Sequence, residues 1–164
     1  MEKDTQIFLE SMITGRVVID QPELRLKRVW ERKGAKKPIT WANLQEIFYD
    51  PGVEYMIRQG MLYIDNKEAR VELGLEAAEE DKDNSEIKKV VKLDDTYAKR
   101  LMGAMPFLEF KAAIKELSHE QLEALVQYAI ENECLDLDKC EVLKELTEYD
   151  IVKAVQLERQ AKED

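Results

Sequence analysis

The spacing of apolar side chains changes once along this chain, and that change constrains the fold more than any single motif. From Gly15 to Trp30 the text reads GRVVIDQPELRLKRVW, where β-branched Val17, Val18 and Ile19 precede a turn-prone Asp20-Gln21-Pro22. Leu24 and Leu26 then alternate with Arg25 and Lys27. A period of two in such residues predicts a β-hairpin with one buried and one basic face. From Asp94 onward the period lies between three and four. Leu101, Met102 and Met105 form one stripe, Pro106 breaks it, and Phe107, Phe110, Ile114 and Leu117 form the next, as amphipathic helices require. Ser118 with Gln121 reads as a capping box for a helix on Leu122, Leu125, Val126, Ala129 and Ile130. A further helix spans Leu137 to Leu146, and Thr147 with Asp150 caps a terminal one on Ile151, Ala154 and Val155.

The expected class is therefore α+β: a small N-terminal β-containing domain, a hairpin plus one or two further strands with short helices, followed by a C-terminal helical bundle. The expected boundaries are an N-terminal extension at 1–14, the β-containing domain at 15–93 and the bundle at 94–164. Within the first domain Gly34 to Lys37 reads as a flexible basic connection, Pro38 ends any strand, and Thr40 N-caps a helix on Leu44, Ile47 and Phe48. Asp50 caps a second helix with Pro51 at its first position, where the missing amide proton costs nothing. MLYID reads as a strand, and Asp65 or Asn66 caps KEARVEL, which Gly74 ends. Residues 76–86 carry six acids against one lysine and no apolar side chain larger than alanine, the pattern of a linker or mobile loop. IKKVVKL, residues 87–93, reads as one more strand, placed to pair with the N-terminal ones.

Composition sets the function classes. The 164 residues are 45% hydrophobic, enough for a packed core. No run of 18 apolar residues occurs, and the start MEKDTQIFLESM is polar where an export signal is basic and then apolar. A soluble, unexported protein without membrane partners is expected. Cys134 and Cys140, with five residues between them along a helical pattern, suit reduced thiols better than a disulfide. Charge is divided unevenly. Residues 1–75 hold twelve basic and twelve acidic side chains, and residues 76–164 hold thirteen and twenty-three, which is the whole net −10.

No stretch carries catalytic chemistry. His119, the only histidine, falls in the first turn of a helix with no nucleophile motif to pair with it. The cysteine spacing does not fit zinc, and Asp136, Asp138 and Glu141 lack the glycine and closing glutamate of a calcium loop. The six glycines are scattered, so no phosphate loop exists. Met102 and Met105 beside Phe107 and Phe110 suit either an adaptable binding surface or a core, and Trp30 and Trp41 suit either an aromatic platform or a core. The expected protein is not an enzyme and holds no cofactor and no metal.

The candidate site is the basic stretch between Arg25 and Lys37. Seven cations, Arg25, Lys27, Arg28, Arg32, Lys33, Lys36 and Lys37, stand there against one acid, Glu31. Three readings apply: a solvated face that binds nothing, phosphate contacts with DNA whose affinity falls with salt, or complementarity with the acidic C-terminal bundle of a neighbouring copy or partner.

Trp30-Glu31-Arg32-Lys33-Gly34-Ala35, Tyr49-Asp50-Pro51-Gly52-Val53-Glu54-Tyr55-Met56 and Gly60-Met61-Leu62-Tyr63-Ile64 resemble a group of small tailed-bacteriophage proteins, and Tyr97 to Pro106 and Cys140 to Ile151 extend the similarity. The acidic run before Ile87 departs from that pattern. The resemblance implies a phage origin and a structural or assembly role in the virion, in head, connector or tail, with localisation to the particle after synthesis in the host cytoplasm. Implied partners are other copies of the chain, other virion proteins and, through the basic loop, packaged DNA. The alternative is an early intracellular phage protein that inhibits a host enzyme or defence complex, a role to which an acidic surface mimicking nucleic acid is suited.

Overall fold

The computed structural model describes residues 1–163 and is α+β, with five strands in the N-terminal half followed by helices. The chain divides into two compact units, Met1–Lys92 and Leu93–Asp164.

In the first unit β1 (Gln6–Ser11) lies between β4 (Lys36–Thr40) and β5 (Leu62–Ile64), antiparallel to both. The residues read as an N-terminal extension thus supply the middle strand of the sheet. QIFLES alternates, with Ile7 and Leu9 fully buried and Phe8 exposed, which is the period of a half-covered strand. β2 (Val17–Gln21) and β3 (Leu26–Trp30) form a separate two-stranded hairpin, closed by a 3-10 turn at Pro22–Leu24. Arg25 closes that turn at φ 50, in the left-handed region. Val17, Ile19, Leu26 and Trp30 face a common core with Ile39 and Ile64.

Pro38 does not end a strand; it lies inside β4, opposite Phe8. Phe8 directs its carbonyl to the amide of Asp65 on the far side, so β1 asks nothing of Pro38, and an edge strand tolerates a missing donor there. Three short helices follow the pattern of their caps. Thr40 accepts from the Asn43 amide at the start of α1 (Trp41–Ile47), Asp50 from Gly52 and Val53 at α2 (Pro51–Arg58), and Asn66 from Ala69 at α3 (Lys67–Glu72). Residues 87–93 form no strand. Both edges of β1 are already taken, and the segment is held by side chains instead, with Val90 packed on the core.

The second unit contains α4 (Asp95–Met102), α5 (Phe107–Ile114), α6 (His119–Glu131), α7 (Leu137–Thr147) and α8 (Ile151–Glu163). The capping box of Ser118 and Gln121 opens α6, and α6 packs against α4, α7 and α8. Met102, Met105 and Phe110 are buried, so they fill the core, and Trp30 and Trp41 do so in the first unit. Asp150 alone caps α8, accepting from the Lys153 amide, while Thr147 closes α7 by donating to the Leu143 carbonyl.

One interaction in this unit has no trace in the hydrophobic pattern. Lys139 is 1% exposed, and its Nζ donates to the carbonyls of Leu101 at 2.7 Å, Gly103 at 3.1 Å and Met105 at 2.6 Å. Three acceptors match the three donors of an ammonium. Leu101 lies in the last turn of α4, where carbonyls lack helical partners at the negative end of the dipole, and Gly103 and Met105 follow it. The Phe110 ring lies 5.4 Å from the same nitrogen. Gly103 lets the chain turn there, since a Cβ would lie 2.9 Å from the Lys99 carbonyl. Replacing Lys139 with methionine keeps the stem but leaves the carbonyls without a donor, and should destabilise this unit by about 2–4 kcal/mol. Urea unfolding followed by far-ultraviolet circular dichroism measures it, and an unshifted midpoint would mean that water serves those carbonyls equally well.

Candidate functional site

The basic stretch is built on β3, the turn after it and β4. Trp30 is fully buried and its indole donates to the Leu9 carbonyl at 2.8 Å, which anchors the end of β3 to β1. The turn is tied down as well: Gly34 N–H donates to the Ser11 carbonyl at 2.8 Å, and Ser11 N–H to the Ala35 carbonyl at 3.0 Å. Gly34 sits at φ 87, a backbone that glycine adopts freely. The expected flexible connection is therefore a turn fixed at both ends by backbone hydrogen bonds.

The seven cations sort into two groups. Arg28 donates through Nε to the Pro38 carbonyl at 2.8 Å and through Nη1 to the Lys27 carbonyl at 3.0 Å, fastening β3 to β4. Lys36 lies 3.5 Å from both Glu10 and Asp65. The hydrogen bond and charge of Asp65, with Glu10 behind them, hold its ammonium above the ordinary lysine value. Lys33 is half-buried and engaged. Arg25, Lys27, Arg32 and Lys37 are exposed and form no ion pair among the described residues. Arg25 is at the hairpin tip and Arg32 in the opposite turn, with the five residues of β3 between them. At about 3.3 Å per residue the free cations form a stripe, not a pocket, which suits an extended or protein-sized partner.

A charged residue that sequence reasoning passed over is paired elsewhere in this unit. Glu76 begins the acidic run, yet it is buried, 2.9 Å from Lys89 and 3.3 Å from Arg70. Arg70 also donates to the Ile64 carbonyl and lies over the Tyr63 ring, with Lys92 over the same ring. Burial works to raise the Glu76 carboxyl, but the Lys89 hydrogen bond and the charges of Arg70 and Lys89 outweigh it, leaving it below the usual range. Its place one residue after buried Leu75, with arginine and lysine nearby in sequence, was the available signal.

The other candidates are spread apart. His119 is exposed at the start of α6 and pairs with Glu123 at 3.2 Å. Cys140 is buried, its Sγ donating to the Cys134 carbonyl, and burial with Asp136 next pushes its thiol up to about 11. Burial raises Cys134 too. Among the described residues no group of three or more His, Cys, Asp or Glu is placed to hold a metal ion, and no helix is long and apolar enough to cross a membrane. No protein-family model, curated protein or solved structure matches the chain.

Two outcomes follow. A carboxyl whose folded value is depressed stabilises above its unfolded value of about 4.3 and loses that contribution as pH falls through the folded value. The hydrogen-exchange protection factors of residues 76–92, which compare each amide with its intrinsic rate at the same pH, should thus fall on acidification below about pH 4. Glu76→Gln should lower the same protection factors at neutral pH, and full protection in that variant would remove the Glu76 pairing from the account. Both thiols should resist iodoacetamide at neutral pH and react faster as pH rises toward about 11 for Cys140; rapid neutral alkylation would contradict the burial seen for them.

Proposed function

We propose that this protein is a structural or assembly component of a tailed-bacteriophage particle, acting by contacts with other copies of itself and with other virion proteins. What carries the contact mechanism is the division of charge between the units. The first holds sixteen basic and eighteen acidic side chains and the second nine and seventeen. The near-neutral unit concentrates four unengaged cations on one stripe, Arg25, Lys27, Arg32 and Lys37, while the helical unit is acidic overall. A local cationic surface facing an acidic one steers encounters and fixes register. The phage setting is supported by the resemblance of residues 30–35, 49–56 and 60–64 described above. Packaged DNA is a further partner for the same stripe, through phosphate contacts.

Mass spectrometry of purified particles from infected cells decides the reading. The chain should be present in fixed ratio to the major virion proteins. Its absence from particles, with recovery as a one-to-one complex with a host enzyme, would replace this reading with the host-directed inhibitor. Reversing Arg25, Lys27, Arg32 and Lys37 to glutamate should reduce incorporation at least several-fold while leaving the unfolding midpoint unchanged, since all four are exposed.

A further inference from the structure

The helical unit carries a groove of about 390 Å³ formed by α6, the segment before α8 and α8 itself. Its floor is apolar, made by Val126, Ile130 and the half-exposed ring of Tyr149. Its rim is acidic, made by Glu123, Glu131 and Glu158. Glu123 lies 3.2 Å from His119, Glu131 accepts from the uncharged amide of Gln127, and Glu158 forms no ion pair among the described residues.

We infer that this groove receives the Arg32–Lys37 turn of a second copy of the chain. The inference rests on the contact mechanism proposed above and gives it a place. The turn is chosen over the hairpin tip by its local charge. At the tip, Glu23 stands near Arg25, and Asp20 lies directly across from Lys27. From Arg32 to Lys37 there are four cations and no acid, and the adjacent Glu31 is drawn to Arg16 at 3.9 Å. Lys36 is spent on Glu10 and Asp65, so Arg32 and Lys37 are the cations to be delivered.

The chemistry of the groove suits an arginine in particular. The aliphatic stem of Arg32 can lie on Ile130, its flat guanidinium over the Tyr149 ring, and its donors on Glu131 and Glu158. The turn and the groove are different surfaces, so each contact joins unlike faces, and repetition of it closes a two-fold pair or a ring or extends a fibre.

A charge swap tests this on the full chain. One variant is Arg32→Glu with Lys37→Glu, and the other is Glu131→Lys with Glu158→Lys; all four positions are exposed. Mass photometry and sedimentation velocity should find concentration-dependent assembly of the wild type, weakened by roughly tenfold or more in each variant alone. Mixing the two variants should restore assembly, because each reversed turn then meets a reversed groove. A wild type that stays monomeric at high concentration, variants that assemble as well as the wild type, or a mixture that fails to recover each overturns the inference. The particle measurement is independent. A monomeric protein found in particles sinks only this contact, whereas swap-restored assembly of a protein absent from particles sinks only the virion reading.

Discussion

The Leu9 carbonyl, bonded at 2.8 Å by the Trp30 indole, joins two ladders that share no strand. β1 belongs to the three-stranded sheet and β3 to the hairpin, and Trp30 is fully buried where its N–H must find an acceptor. Once that bond forms, the end of β3 is fixed relative to β1, and the turn from Glu31 to Ala35 must climb back onto β4 over a short distance. The bonds of Gly34 and Ala35 to Ser11 complete the clamp. The basic turn is consequently presented by a rigid frame. A turn so held has little backbone freedom left to lose on meeting a partner, and ordering of a loop is one of the costs of association.

Lys139 shows that charge in the sequence does not report its own role. It is one of nine cations in an acidic unit, yet its nitrogen closes the end of α4 from α7 and never meets solvent. Glu76 is the counterpart in the first unit, a member of an acidic run that is buried and paired. Both satisfy groups that would otherwise be costly to bury. Electrostatic accounts of partners must therefore begin by removing such residues, and in the basic stretch the same step removes Arg28 and Lys36.

What was legible in the sequence was what local chemistry decides. Thr40, Asp50, Asn66 and Ser118 cap the helices they were expected to cap, since a side-chain oxygen and two or three neighbouring amides suffice. The hairpin was legible from β-branched residues around a proline turn. β1 was not, although Ile7 and Leu9 alternate correctly, because its strand character depends on partners 30 and 50 residues away. IKKVVKL is rich in the same β-branched residues yet joins neither sheet. The basic stretch was legible as a cluster, and its division into engaged and free cations was not, because Pro38 O, Glu10 and Asp65 become its neighbours only through tertiary pairing.

A chain of net −10 repels its copies at long range, with a screening length of about 10 Å at moderate salt. Exposed cations on the first unit and the acidic surface of the second cannot by themselves overcome this, because exposed pairs contribute only about 0–1 kcal/mol each. A contact between copies must then combine charge with buried apolar area. Among the acidic surfaces of the second unit, the groove beside Tyr149 offers both, whereas the rim carboxylates alone would attract any cation and hold none. The proposed contact accordingly sets Arg32 and Lys37 of the fixed turn against a groove where Val126 and Ile130 lie beside Glu131 and Glu158.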